Sequence, residues 1–535
     1  MDKKYFGVML DMSRNAVMKP EQVKKFMKTI SEFGYNMVQL YVEDTYEVDG
    51  EPYFGYMRGR YTKEDIKGIV SYCETIGVEV VPCIQTLAHL NQIFRWSVYQ
   101  GVNDVADILL VENDRTYELI ENMFKTLREC YKTNYVHIGM DEAHMLGLGK
   151  YLEQHGYQKR FDILLKHLQK VVEIAKKYGF KPMMWSDMFF RLANNGEYYS
   201  SGKTIPQEVK DMTPQDVGLV YWDYYHKNQA EYDAMIKSHL SFNDNEVWYA
   251  GGAWTWAGFA PKNRYSLQTM KPAMASCRKF GLDKIFITMW GDNGKECSFY
   301  SMLPSLFAIR KFYEGETKMS KIKAEFERVT GEKFDAMMAL DLPNEAGGKR
   351  DTNHNICKYA LYSDPFNGFL ESTFPVACAS EYKTFARRLA KYAKTSNYAY
   401  LFDYMSKLCD ALSVKFDLGI RTRNAYQAGD KTALTALVAD YKKAEKKVEA
   451  FYVAFKKVWF EENHPSGFDV QDQRLGGLLF RLRSCRERLS DYLAGKITSI
   501  PELEEKVLGY FNEEEFTHEP IHYNHWTGNV TANIM

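Results

Sequence analysis

Hydrophobic and polar positions in the first 300 residues alternate between a helical pattern and a strand pattern. In one instance, apolar residues spaced as on one helix face run from Val23 to Phe33, and Gly34 follows. Glycine readily adopts the left-handed conformation that ends many helices, so this position marks a helix end. The same arrangement recurs at Gly77, Gly179 and Gly281. An apolar run follows each of the four glycines, which predicts repeated helix-to-strand transitions.

Eight apolar runs are predicted as strands: residues 5–12, 37–42, 78–84, 135–140, 181–186, 217–222, 246–252 and 284–290. Most are continuously apolar, as is typical of parallel strands covered on both faces, and helical patterns lie between most of them. A (β/α)8 barrel over residues 1–315 is therefore predicted. A doubly wound open sheet is the competing architecture, but no GxGxxG or GxxxxGKS motif follows a first strand.

From residue 316 onward the strand pattern disappears and charged helical patterns dominate. The longest, residues 431–463, carries apolar residues at helical spacing with lysine and glutamate opposite them. An α-helical C-terminal domain over residues 316–535 is predicted. We expect it to pack on the barrel or to form a homodimer interface.

Composition and charge exclude several classes of partner. Among 535 residues, 69 basic side chains face 70 acidic ones, so nothing favours attraction to nucleic acid or to anionic lipid. No run approaches eighteen apolar residues, and Asp11 interrupts the apolar run near the start, which predicts a cytoplasmic protein without a membrane partner. The nine cysteines form no CxxC pair, and we expect reduced, mostly buried thiols.

Acids and aromatic residues follow the predicted strands. The carboxyl ends of barrel strands line the active sites of such folds. In strand order, the candidates are Asp11 and Arg14; Glu43 and Asp44; Gln85 and His89; Asp141 and Glu142; Trp185 and Asp187; Trp222, Asp223, Tyr224 and Tyr225; Trp254 and Trp256; Trp290 and Asp292. Aromatic planes beside carboxylates suit a sugar, although a single tryptophan also serves to plug a barrel end.

The segment YVHIGMDEAH, residues 135–144, places the adjacent acids Asp141 and Glu142 between two histidines. A zinc site would use His137, Asp141 and His144, but an HExxH site needs histidines four apart on a helix, whereas this segment has a strand pattern. A purely structural role is disfavoured because two neighbouring carboxylates repel each other and lose solvation. A catalytic pair is the favoured interpretation.

These residues resemble glycoside hydrolase family 20, the β-N-acetylhexosaminidases. Its H-x-G-x-D-E motif is matched by His137, Gly139, Asp141 and Glu142, and its L-D-x-x-R segment by Leu10, Asp11 and Arg14. The resemblance covers roughly residues 5–300. It favours the branch that resembles hexosaminidase D and bacterial intracellular exo-β-N-acetylglucosaminidases.

Three positions depart from the pattern of better known family members. Gln85 replaces an aspartate four residues before His89, Phe6 occupies the place of an arginine, and Asp292 shortens a glutamate by one methylene. Arg14 is the candidate substitute for the missing arginine at the sugar hydroxyls.

The resemblance implies an exo-acting enzyme that removes terminal β-linked GlcNAc or GalNAc from small oligosaccharides or glycoconjugates without a metal or other cofactor. In this family the 2-acetamido carbonyl of the substrate is the nucleophile, and an oxazolinium intermediate forms with overall retention. Glu142 would be the general acid and then the base. Asp141 would orient the acetamido group and stabilise the intermediate.

The resemblance also implies the supporting residues. Tyr225, or alternatively Tyr224, would hold the acetamide oxygen. The other predicted substrate-binding residues are Arg14, His89, Trp185, Trp222, Trp254, Trp290 and Asp292, and the predicted supporting residues are Glu43, Asp44 and His137. Two alternatives stay open: a glycosidase that uses Asp187 or Asp223 as a nucleophile, and a non-catalytic glycan-binding barrel.

Overall fold

The computed structural model describes residues 3–199, 205–242, 245–348, 352–375, 378–513, 518 and 521–526. The chain divides into two compact units. The first comprises Met1–Ala253, Ser266–Trp290 and Ser305–Ile322, and the second comprises Trp254–Tyr265, Gly291–Pro304 and Lys323–Met535. The domain boundary predicted near residue 315 stays a prediction.

The first unit contains a closed barrel. The strands of the described chain are β1 (Tyr5–Asp11), β2 (Met37–Tyr41), β3 (Glu79–Cys83), β4 (Asn103–Val105), β5 (Ile108–Leu109), β6 (Tyr135–His137), β7 (Lys181–Trp185), β8 (Gly218–Trp222), β9 (Val247–Gly252) and β10 (Lys284–Met289). Eight of them close the barrel in the order β1, β10, β9, β8, β7, β6, β3, β2. All eight pairings are parallel. The predicted (β/α)8 architecture is confirmed.

Helices surround the barrel strands. In the barrel sequence they are α1 (Pro20–Ser31), α2 (Lys63–Thr75), α3 (Asp114–Cys130), α4 (Lys150–His155), α5 (Arg160–Lys177), α6 (Asp187–Ala193), α7 (Gln207–Met212), α8 (Gln229–Leu240) and α9 (Asn263–Lys279). The four glycines predicted to end helices all have positive φ. The antiparallel hairpin of β4 and β5, which the apolar pattern does not predict, lies in the loop after β3.

The chain after the barrel strands is helical, as predicted. Its helices are α10 (Leu303–Glu314), α11 (Met319–Thr330), α12 (Phe334–Met337), α13 (Ile356–Tyr362), α14 (Cys378–Tyr392), α15 (Ala399–Lys415), α16 (Leu418–Gln427), α17 (Lys431–Glu462), α18 (Phe468–Leu493) and α19 (Pro501–Glu504). Helix α17 matches the longest predicted helix. Stacked rings join it to α15, with the Tyr404 centroid 5.4 Å from Phe451 and 5.1 Å from Phe455.

Short 3-10 turns complete the described chain, at Ile93–Arg95, Ser97–Val102, Phe299–Met302, Met338–Asn344, Ala346–Gly348, Glu371–Thr373 and Tyr523–His525. All nine cysteines are buried thiols, as expected. Within the described ranges, no helix combines the length and the apolar character needed to cross a membrane.

The fourth barrel strand, β6, ends three residues earlier than predicted. Gly139 and Met140 have φ values of 71° and 69°, which turn the chain out of the sheet before the acid pair. A Cβ atom on Gly139 would lie 2.0 Å from Oε1 of Gln85, so only glycine fits this approach. The turn sets the directions in which Asp141 and Glu142 leave the barrel.

Candidate active site

Asp141 is buried and held by two side chains from the loop after β3. Its Oδ1 accepts a hydrogen bond from Nε2 of Gln85 at 2.9 Å. Its Oδ2 lies 3.2 Å from Nε2 of His89, an ion-pair distance. Burial favours the neutral acid, but the charge of His89 and the amide of Gln85 outweigh it and lower the pKa of Asp141 to about 2. Asp141 is therefore an anion at neutral pH.

Glu142 has a different environment, although it is the next residue. Its side chain is 44% exposed, and its Oε2 lies 3.8 Å from Nε2 of His89. Its backbone has a φ of 53°, and its N–H donates to Oδ2 of Asp187 at 3.2 Å. The left-handed backbone separates the two carboxylates, so that one is buried and ionised and the other faces solvent.

His89 lies between these carboxylates. Its backbone also has positive φ, and its N–H donates to Oδ2 of Asp107 at 3.0 Å. Burial alone would lower the pKa of His89, but the Asp141 carboxylate overcomes this penalty and raises the pKa to about 10; Arg14 opposes the rise and Glu43 adds to it. His89 is therefore a cation at neutral pH.

A chain of hydrogen bonds runs from Asp141 to β2. Nε2 of Gln85 also donates to the Tyr41 hydroxyl at 3.0 Å, and this hydroxyl donates to Oε1 of Glu43 at 3.1 Å. Nη1 of Arg14 lies 3.1 Å from the same Glu43 oxygen. The residues after β1, β2, β3 and β6 thus form one connected polar network.

Arg14 is fixed by two acids and two rings. Its Nη1 also contacts Oδ2 of Asp11 at 3.3 Å. The guanidinium carbon lies 5.3 Å from the ring centroid of Tyr41 and 5.7 Å from that of Trp290. Arg14 therefore lies at the barrel mouth beside a predicted sugar-binding tryptophan.

Phe6 and Asp44 lie outside this network. Phe6 is buried against Tyr35, with ring centroids 5.0 Å apart. Asp44 accepts a hydrogen bond from Nε of Arg58 at 3.3 Å. Burial raises the pKa of Asp44 and Arg58 opposes the rise. Of the two acids after β2, only Glu43 joins the network that reaches Asp141.

Aromatic side chains form a continuous wall at the mouth. Trp185 is buried, and its ring centroid lies 5.9 Å from that of Trp290. Nε1 of Trp290 donates to the Tyr224 hydroxyl at 3.1 Å, and Tyr224 stacks on Trp222 at 5.5 Å. Nε1 of Trp185 has no hydrogen-bond partner among the described residues.

His137 lies behind this wall. Its ring centroid is 4.4 Å from that of Trp185, and its Nδ1 accepts a hydrogen bond from the Gly139 N–H at 3.1 Å. Burial lowers the pKa of His137 to about 3, so the ring is neutral. In the part of the chain that the structure describes, no three histidine, cysteine or acidic side chains form a group suited to a metal ion.

The two acids weighed as alternative nucleophiles are buried. Asp223 accepts from the Tyr221 hydroxyl at 2.7 Å and from the N–H of the half-buried Tyr225 at 3.0 Å. Its Oδ2 also lies 2.7 Å from Nδ1 of His226. Asp223 therefore organises the turn after β8.

Asp187 lies directly behind Glu142. Its Oδ2 accepts from the Glu142 N–H and from Nε of Arg191, each at 3.2 Å, and its Oδ1 has no partner among the described residues. Burial and the nearby charges of Asp141 and Glu142 raise its pKa to about 7, and Arg191 opposes the rise. Asp187 therefore titrates near neutral pH.

Two predicted sugar-binding residues, Trp254 and Asp292, belong to the second unit. Trp254 is buried and stacks on Trp256, with centroids 4.3 Å apart. Sequence reasoning did not identify Tyr41, Asp107 or Arg191. Tyr41 ends a strand and could have been found by the same rule as the acids, whereas Asp107 lies in the unpredicted hairpin.

Family models cover most of the chain. A model described as the glycosyl hydrolase family 20 catalytic domain matches residues 4–277, about half of the chain, and one described as the glycoside hydrolase 20C C-terminal domain matches residues 332–522. The chain therefore belongs to glycosyl hydrolase family 20. The resemblance drawn from its motifs is confirmed, and with it the prediction of a glycoside hydrolase at the level of the family.

Curated relatives include hexosaminidase D from Bos taurus, 26% identical over 239 residues, which cover 43% of this chain and 64% of the relative. Hexosaminidase D from Homo sapiens is 24% identical over 201 residues, which cover 36% of this chain and 39% of the relative. The chain thus spans less than two thirds of these relatives. Among solved structures, a family 20 exo-β-N-acetylglucosaminidase from Vibrio harveyi has a TM-score of 0.47 at 15% identity, covering 61% of this chain and 58% of the other. Flavobacterium johnsoniae chitobiase has a TM-score of 0.45 at 14% identity, covering 85% of this chain and 78% of the other.

Proposed function

We propose that this protein is an exo-acting β-N-acetylhexosaminidase that removes terminal β-linked GlcNAc or GalNAc with retention of configuration. The observation that carries the proposal is the contrast between two adjacent acids. Asp141 is buried and ionised, while Glu142 is 44% exposed at the mouth. Carboxylates in such different environments take different roles in one reaction.

Asp141 supplies a fixed negative charge. When the acetamido oxygen of the substrate attacks the anomeric carbon, positive charge develops on the ring that forms. A carboxylate that is already ionised and oriented by Gln85 and His89 stabilises this charge without reorganising. It also accepts a hydrogen bond from the acetamido N–H, which aligns the nucleophile.

Glu142 moves the proton. As an acid it protonates the glycosidic oxygen while the bond to the anomeric carbon breaks, and the leaving sugar departs as an alcohol. The resulting carboxylate then takes a proton from water as that water opens the oxazolinium ring. Two inversions at the anomeric carbon give net retention.

The acetamido pocket is assigned to the aromatic wall. Trp185 and Trp290 would cover the methyl group and the sugar face, and Tyr225 would donate to the acetamide oxygen. Tyr224 is the alternative, since a hydroxyl that accepts the Trp290 N–H can also donate its own O–H. The sugar-binding roles of Trp254 and Asp292 rest on the family resemblance.

A protein nucleophile is the alternative mechanism, with Asp187 or Asp223 attacking the sugar. Asp223 accepts three contacts within its own turn, and Asp187 is held by the Glu142 backbone and by Arg191. Both oxygens of Asp223 are thus engaged, and Asp187 is fully buried, which supports the substrate as the source of the nucleophile.

The test uses an aryl N-acetyl-β-glucosaminide and the matching aryl β-glucoside. The wild-type protein should release the chromophore from the first and far more slowly from the second. Glu142→Gln should lose on the order of 100-fold or more of kcat. Glu118→Gln, an exposed change on α3, is the matched control and should retain activity.

Equal turnover of the two substrates would refute the role of the acetamido group. No turnover of either would favour a non-catalytic glycan-binding barrel. A homodimer formed through the helical C-terminal region and a cytoplasmic location are further parts of the proposal. Sedimentation velocity and fractionation of the source cells test them.

A further inference from the structure

Exposed apolar and aromatic side chains of the barrel unit are concentrated on one part of its rim. Among the described residues of that unit, ten large apolar or aromatic side chains are exposed. Six of the ten lie in the loops after β2, β3 and β6: Tyr53, Tyr56, Met57, Val98, Met145 and Leu148. Exposed apolar patches on a folded domain mark interaction sites.

Three rings of these loops contact one another, and we name them the aromatic platform: Tyr53, Tyr56 and Trp96. The Tyr53 and Tyr56 centroids lie 6.0 Å apart, and each lies about as close to Trp96, at 5.5 and 5.4 Å. Tyr53 is 42% exposed and Tyr56 is 41% exposed. The rings support one another while part of each tyrosine stays open to solvent.

A buried acid anchors the platform from below. Glu51, two residues before Tyr53, accepts a bidentate pair of hydrogen bonds from Arg115 at 2.7 and 2.6 Å. It also accepts from the Tyr99 hydroxyl and from Nδ2 of Asn122, each at 3.0 Å. Tyr99 lies three residues after Trp96, so Glu51 ties the two loops together. A platform held in this way costs little ordering entropy when a ligand binds.

The platform lies on the same barrel face as the acid pair. Strands β2, β3 and β6 are neighbours, and the loops at their carboxyl ends share that face. Trp96 follows His89 by seven residues in the loop after β3, and Nε2 of His89 lies 3.8 Å from Oε2 of Glu142. The acid that protonates the leaving oxygen therefore contacts the loop that carries the platform.

We propose that Tyr53, Tyr56 and Trp96 bind the pyranose rings on the reducing side of the glycan, the part that departs with the glycosidic oxygen. This inference rests on the proposed function. Tyrosine and tryptophan rings cover the C–H faces of a sugar, and their hydroxyl and N–H groups reach its hydroxyls. A small platform with polar edges, continuous with the acid's loop, suits a sugar better than a protein surface.

The test compares two substrates that share the terminal sugar. Under this proposal N,N′,N″-triacetylchitotriose extends onto the platform, whereas methyl N-acetyl-β-glucosaminide has no second sugar to place there. Trp96→Ala should lower kcat/KM for chitotriose about tenfold more than for the methyl glycoside, which corresponds to about 1.4 kcal/mol. Tyr53→Ala should shift the ratio in the same direction, and Trp96→Phe should restore most of it.

Leu240→Ala is the control, because this side chain is 46% exposed and ends α8, away from the loops at the mouth. It should leave the substrate ratio unchanged. An equal loss of kcat/KM on both substrates in Trp96→Ala would overturn the proposal that the platform binds sugar. A change in oligomeric state with no change in the substrate ratio would also overturn it, because it would indicate that the platform binds a protein partner.

Failure of the proposed function gives a different result. If the wild-type protein hydrolyses neither substrate, the proposed function is wrong. Sugar binding by the platform is then tested separately, by measuring chitotriose binding with nuclear magnetic resonance. Weaker binding by Trp96→Ala than by the wild type would then support the platform. Equal binding would overturn it.

Discussion

The charge on His89 depends on Asp141, so Asp141→Asn tests the electrostatics of the site. Asn has nearly the same shape as Asp but carries no charge. The carboxylate of Asp141 overcomes the burial of His89 and raises the pKa of His89 to about 10. Relative to the ordinary histidine pKa of 6.5, this rise corresponds to a stabilisation of the protonated ring on the order of 5 kcal/mol, at 1.36 kcal/mol per pKa unit.

In Asp141→Asn the burial of His89 remains but its main opposing charge is gone. Glu43 still attracts the imidazolium and Arg14 still repels it, so these two contributions oppose each other. We expect the pKa of His89 to fall to 6.5 or below, and the ring to be neutral at pH 8. Glu43→Gln, which removes a weaker attraction, should lower the pKa by much less.

Nuclear magnetic resonance of ¹⁵N-labelled histidine measures this change directly. His167 and His239 serve as internal references, because burial lowers the pKa of each to about 4 and both stay neutral. A wild-type His89 that titrates near 6.5, or a His89 ring that remains protonated at pH 8 in Asp141→Asn, would refute the dependence of the His89 charge on Asp141.

The sign of the linked stability follows from the raised pKa. His89 binds its proton more tightly in the folded state, so its contribution is complete below pH 6.5 and disappears as the pH rises through about 10. The wild-type protein should therefore lose stability across this range. Asp141→Asn should lose less, as followed by urea unfolding at several pH values.

Two further changes test the turn and the acid behind Glu142. Gly139→Ala places Cβ 2.0 Å from Oε1 of Gln85 at a φ of 71°, and should cost about 3 kcal/mol of unfolding free energy by urea denaturation. Gly77→Ala has the same φ but open space, and should cost only about 1 kcal/mol; equal costs would contradict the steric argument. Asp187→Asn removes an acid whose pKa is about 7, so the pH profile of kcat/KM should lose its bend near neutral pH. Because its pKa is raised, Asp187 stabilises the wild-type fold fully below pH 3.8, and this contribution is lost as the pH rises through about 7. Asp187→Asn should therefore gain stability relative to the wild type as the pH rises. A difference in unfolding free energy that does not change with pH would contradict this expectation.

The barrel could be predicted because its strands are buried on both faces and therefore read as continuous apolar runs. The fourth strand was predicted too long because its last apolar residues, Ile138 and Met140, flank Gly139, where left-handed backbone begins to turn the chain out of the sheet. An apolar pattern records burial, and both residues are fully buried. It does not record the backbone direction.

The sequence names candidate residues at the strand ends but does not give their contacts. Glu43 and Asp44 both follow β2, and the sequence does not say which of them faces the network. In the structure Glu43 contacts Arg14, while Asp44 pairs with Arg58. The charge of His89 depends on such contacts, which join residues far apart in the chain.

The most direct test of the account replaces the acetamido hydrogens of the substrate with fluorine. Aryl β-glucosaminides with N-acetyl, N-fluoroacetyl, N-difluoroacetyl and N-trifluoroacetyl groups present carbonyl oxygens of decreasing nucleophilicity. If the substrate supplies the nucleophile, kcat/KM should fall steeply with each added fluorine. A series in which kcat/KM stays constant would show that the protein supplies the nucleophile and would contradict the roles given to Asp141 and Glu142.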